Sequence, residues 1–68
     1  MTTKDFFALH GFMDTNAAAA YLGISAQALR LRVHRGTAPP SAKLGGRRLW
    51  RKADIDAWIN DKFKEDQS

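Results

Sequence analysis

The stretch Asp14–Gly36, DTNAAAAYLGISAQALRLRVHRG, decides the fold. Asp14 is a good N-cap, because its carboxylate can accept from an orphan N–H of the first helical turn. The alanines Ala17 to Ala20 have the highest helix propensity, and Gly23 supplies a left-handed stop. Ser25 then caps a second helix, predicted over Ala26 to Arg35 and ended by Gly36. Two short helices separated by a glycine-containing turn of three or four residues make a helix-turn-helix. In the first helix, Ala18, Ala19 and Leu22 are expected to face inward, where small side chains let another helix approach. In the second, Leu29 and Val33 lie four apart and mark the buried side. Gln27, Arg30, Leu31 and His34 follow the i, i+3, i+4, i+7 spacing on the opposite face.

Further along, Thr37 to Ser41 holds Pro39-Pro40 and reads as an extended connector. Ala42-Lys43-Leu44 and Arg48-Leu49-Trp50 flank Gly45-Gly46-Arg47, which predicts a β-hairpin. A two-residue loop pairs Leu44 with Arg47. A three-residue loop pairs Leu44 with Arg48 and sets Leu44 and Trp50 on one face; it is preferred here because it buries both. From Ala53 onward, Ile55, Trp58, Ile59 and Phe63 form an apolar stripe at helical spacing, predicting a core helix. Asp54 and Asp56 sit in its first turn, where they suit the helix dipole. The predicted organisation is an N-terminal flap over residues 1–13, a domain over 14–64 and a fraying tail over 65–68. In the flap, Thr3 can cap a helical turn through Phe6, Phe7 and Leu9, with Gly11 as its stop. Phe6 and Phe7 then either cover the core or form a patch for a protein partner. The expected fold class is mostly α with a small β-hairpin, a winged helix-turn-helix.

Size and composition bound the function. A chain of 68 residues makes one domain with a small core. It has no cysteine, so neither a disulfide nor a thiolate metal site is available, which fits a reducing compartment. No signal-like or membrane-length apolar run is present. The expected setting is the cytoplasm, at the nucleoid, without a membrane partner. His10 and His34 have no carboxylate at ligand spacing, so no metal or other cofactor is expected. No nucleophile–base pair suggests catalysis, and the chain is too small for a deep pocket, so no small-molecule substrate is expected either.

The net charge is +4, and its distribution matters more than its size. No acid lies between Thr15 and Ala53, while Arg30, Arg32, Arg35, Lys43, Arg47, Arg48, Arg51 and Lys52 all do. A single-sign block spanning a helix and a hairpin is the footprint of a nucleic-acid site. Double-stranded DNA is the expected partner. Gln27, Arg30, Leu31 and His34 are assigned to base edges, and Ser25, Arg32 and Arg35 to the flanking backbone. Lys43, Arg47, Arg48 and Arg51 form the wing, facing phosphates or the minor groove. Leu31 has three readings: a thymine-methyl contact, a protein contact, or an ordinary surface leucine. Two rival functions are weaker. An RNA-binding module would carry its aromatics on an exposed sheet instead of at core spacing. A protein adaptor would bind without salt dependence.

The ordered set AAAAYLGIS, LRLRVHRG-TAPP, KLGGRRLWRK and ADIDAWI resembles the small MerR-like winged-helix proteins of the excisionase and AlpA type. The likeness covers Asp14 through Ile59. It departs from the family at Ala17 and Ala20, where glutamates are common, and at Arg32, where a bulky apolar residue is common. The resemblance implies a reader helix in the major groove and a wing along the backbone or minor groove. Excisionases of this type are recombination directionality factors: they bind beside phage attachment sites in several copies, bend the DNA and favour excision by an integrase. AlpA-type members regulate transcription instead. An integrase and further copies of the chain, self-associating on DNA, are the protein partners implied.

Overall fold

A computed structural model describes residues 9–67. In chain order it contains β1 (Phe12–Met13), α1 (Thr15–Leu22), α2 (Ala26–Arg35), β2 (Ala42–Leu44), β3 (Arg47–Arg51) and α3 (Lys52–Gln67). The strands form one antiparallel sheet in the order β1-β3-β2. Three helices and a small sheet make a winged helix-turn-helix, as the patterning predicts.

Both helices of the pair begin and end where their caps place them. The Asp14 carboxylate accepts from Ala17 N–H at 2.8 Å, and the Ser25 hydroxyl accepts from Ala28 N–H at 3.0 Å. At the far end of α1, Gly23 N–H donates to the Ala20 carbonyl at 3.1 Å and Ile24 N–H to the Ala19 carbonyl at 3.0 Å. This paired closure requires a left-handed residue, and Gly23 supplies it with φ +78°. The end of α2 repeats the arrangement through Gly36 and Thr37. Local hydrogen bonds therefore fix the three-residue turn and the angle at which α2 leaves α1.

The core is one cluster of Ala18, Ala19, Leu29, Trp50 and Ile55, all essentially inaccessible. Met13, Leu22, Ile24, Val33 and Ile59 pack around it. The two alanines let α1 lie close to its neighbours, and the indole of Trp50 fills the centre. Its Nε1–H donates to the Thr15 hydroxyl at 3.2 Å, so the one polar atom of that ring is satisfied.

Three details differ from expectation. The hairpin closes with a two-residue loop, pairing Leu44 with Arg47, Lys43 with Arg48 and Ala42 with Leu49. Gly45 and Gly46 both take positive φ, 59° and 79°, the signature of a type I′ turn whose twist matches that of paired strands. Turn geometry thus overrides the burial of Leu44 with Trp50: Leu44 falls on the opposite face and stays 55% exposed. Second, Phe12 and Met13 leave the N-terminal segment to pair with Arg51 and Trp50, making β3 the central strand. Third, the α3 stripe is only partly core. Ile55 is fully buried, Trp58 and Ile59 are half-buried and Phe63 is 63% exposed, so burial falls away along the helix. It also continues through Gln67, beyond the point where the tail was placed. Gly11 has the positive φ (79°) of a stop, while Thr3, Phe6 and Phe7 lie outside the described residues.

α1 and α3 are tied on the surface by Tyr21, whose hydroxyl donates to the Asp56 carboxylate. Lys52 Nζ lies 3.3 Å from the other oxygen of Asp56 and 5.7 Å from the Tyr21 ring centroid. The Tyr21 hydrogen bond, helped by Lys52, holds the Asp56 carboxyl below its ordinary value, and Asp56 in turn raises the Tyr21 phenol and the Lys52 ammonium. A depressed carboxyl stabilises the fold above its unfolded value of about 3.9, and that contribution vanishes as pH falls through the folded value. Tyr21→Phe should therefore melt below wild type at neutral pH. The gap should narrow as pH falls through the folded value of Asp56, where the carboxyl becomes protonated in both proteins. A gap that is constant with pH would assign the loss to packing alone.

Candidate nucleic-acid interface

On α2, the inward positions are Leu29, fully buried, and Val33, half-buried. The opposite stripe of Gln27, Arg30, Leu31 and His34 is exposed throughout. Ser25, Arg32 and Arg35 are exposed beside it. The Ser25 hydroxyl accepts the capping bond, which leaves its O–H free to donate. Arg32, His34 and Arg35 lie in the last turn, where the helix dipole favours cations. The dipole accounts for those positions and not for Arg30, one turn earlier.

The hairpin distributes its cations by strand alternation. Arg47, Leu49 and Arg51 share one face with Ala42 and Leu44; Arg48 and Trp50 share the other with Lys43. Lys43 and Arg48 are direct cross-strand partners of like charge, an arrangement that weakens a ladder unless an anion sits between them. Arg48 is half-buried, with an Nη1–H donating to the Ser41 hydroxyl at 2.9 Å, which holds the guanidinium at the side of the hairpin. Leu29 of α2 and Trp50 at the root of the hairpin belong to the same core cluster. Helix and hairpin are therefore anchored to one body.

The eight cations of the acid-free stretch are not equivalent. Arg51 Nε lies 2.7 Å from the Asp54 carboxylate, and Lys52 is paired with Asp56. Among the described residues, Arg30, Arg32, Arg35, Lys43 and Arg47 make no ion pair or side-chain hydrogen bond. The Lys52–Asp56 pairing is readable from its i, i+4 spacing. That of Arg51 with Asp54 spans the junction between a strand and a helix, and no single periodicity reveals it. Five unpaired cations thus lie on one helix and one hairpin, while the acids of the described residues lie on α3, apart from Asp14 at the N-cap of α1. Cations with no partner in the fold can neutralise a polyanion without first breaking an ion pair.

Among the described residues no group of His, Cys, Asp or Glu is placed to hold a metal ion, and no helix is long and apolar enough to cross a membrane. No curated protein gives a match to the chain. The sequence profile of the helix-turn-helix domain family matches residues 12–62, from the first strand through most of α3. That span contains the capped helix pair, the hairpin and the unpaired cations, and the chain belongs to the helix-turn-helix domain family of small DNA-binding proteins.

Proposed function

We propose that the protein is a recombination directionality factor of the excisionase type. It binds double-stranded DNA with α2 in the major groove and the hairpin against the backbone or minor groove. Gln27, Arg30, Leu31 and His34 meet base edges; Ser25, Arg32 and Arg35 meet the flanking phosphates. Lys43, Arg47 and Arg48 form the wing, and Arg51, already neutralised by Asp54, drops out of it. The carrying observation is the set of five unpaired cations shared by α2 and the hairpin.

The excisionase reading rests on the MerR-like resemblance and on the arithmetic of specificity. A four-residue stripe sees only a few base pairs. At about 1–3 kcal/mol per good base contact, one copy cannot select a site from a genome. Selectivity then comes from adjacent copies, from DNA deformability, or from an integrase bound alongside. The test is a titration of duplexes carrying one, two or three sites, read by mobility shift and by circular-permutation bending. Cooperative filling with a bend that grows with site number is expected. Independent binding of single copies to straight DNA would point instead to an AlpA-like transcription regulator.

A further inference from the structure

Leu31 leaves an apolar side chain 46% exposed between Arg30 and Arg32, on a helix that carries no acid. It lines neither of the two grooves that take in Tyr21, Leu44 and Phe63, three of the other exposed apolar groups. Tyr21 and Phe63 line one groove with Trp58 and Ile59, while Leu44 lies beside Phe12 and Leu49 on the outer face of the sheet. On the helix surface its neighbours are Gln27 at i−4, His34 at i+3 and Arg35 at i+4, with Arg30 and Arg32 adjacent in sequence. A protein surface that covered Leu31 would also have to neutralise Arg30, Arg32 and Arg35, none of which has a partner in the fold. Duplex DNA meets both demands at once. Its phosphates take the guanidinium groups, and the floor of its major groove presents isolated methyl groups on C5 of pyrimidines.

Resting on the DNA-binding reading above, we infer that Leu31 is a specificity-determining residue that reads a pyrimidine C5-methyl group in the major groove. The same chemistry is offered by thymine and by 5-methylcytosine. It also separates DNA from a uracil-containing strand, which no phosphate contact can do. Because Leu31 lies outside the core, its replacement leaves the fold intact, and thermal melts of wild type and variant should coincide.

The experiment starts from duplexes enriched by the intact protein from a random-sequence pool. Each is then remade with deoxyuridine for thymidine, and separately with 5-methyldeoxycytidine for deoxycytidine. Wild type should lose about fourfold in affinity per contacted methyl on the uracil form, which is ~0.8 kcal/mol for one buried methyl-sized group. A gain of similar size confined to the methylcytosine form would support the same contact and assign it to that base. Leu31→Ala should abolish the difference between methylated and unmethylated forms, and Leu31→Met should retain it. Equal binding of all three forms by wild type overturns the proposal while leaving DNA binding in place. So does a methyl preference that survives in Leu31→Ala. Absence of salt-sensitive binding to any duplex overturns the DNA-binding reading itself, and this inference with it.

Discussion

Trp50→Ala is expected to abolish cooperative folding at room temperature. Trp50 is fully buried at the centre of the cluster that joins α1, α2 and α3. Truncating such a side chain costs about 3–5 kcal/mol through lost burial and the cavity left behind. A domain of this length has roughly 3–10 kcal/mol in total, at about 0.05–0.15 kcal/mol per residue. The substitution also removes the hydrogen bond from the indole to Thr15, leaving that hydroxyl without its donor. Trp58→Ala is the comparison. Trp58 is half-buried on α3, with Lys62 Nζ 5.4 Å from its ring centroid, and its loss should cost about 1–2 kcal/mol, as partial burial implies. Urea titrations followed by circular dichroism would separate the two. A folded Trp50→Ala beside an unfolded Trp58→Ala would show that the core lies between α3 and another element.

That contrast shows how far the sequence could be read. Caps and stops are local, so Asp14, Gly23, Ser25 and Gly36 are sufficient to place both helices of the pair. Periodicity gives a face but not a length. Ile55, Trp58, Ile59 and Phe63 lie on one side of α3, yet burial falls away along it and Phe63 is exposed. Strand β3 is harder still. Leu49 and Trp50 point to opposite faces and both are buried, which alternation cannot convey unless the covering residues are known. Phe12 and Met13 help to cover them, and a two-residue strand leaves no pattern of its own. The hairpin register was decided by backbone twist at Gly45-Gly46, a preference stronger than the wish to bury Leu44. For the interface, the acid-free stretch made the basic surface legible, while the neutralisation of Arg51 depended on how β3 joins α3.

The sorting of those cations fixes the salt dependence of binding. If Arg32, Arg35, Lys43, Arg47 and Arg48, the cations assigned to the backbone, each displace one counterion from duplex DNA, log K should fall against log salt with a slope of about −4.5. Between 50 and 200 mM salt this amounts to a loss of roughly 500-fold in affinity, measurable by fluorescence anisotropy on a labelled random duplex. Individual substitutions should then divide into three kinds. Arg47→Ala removes an exposed hairpin cation with no apolar support, so it should weaken every duplex alike and flatten the slope by about one. Arg51→Ala should move the slope far less, because Asp54 already neutralises that guanidinium. Arg30 sits on the stripe between Gln27 and His34, where a guanidinium can bond bidentately to guanine. Arg30→Ala should cost about 1–3 kcal/mol on an enriched site and less on random sequence. Equal losses on both would make Arg30 a backbone contact. A slope near zero for the wild-type protein would remove the polyanion from consideration and favour a protein surface as the partner of α2 and the hairpin.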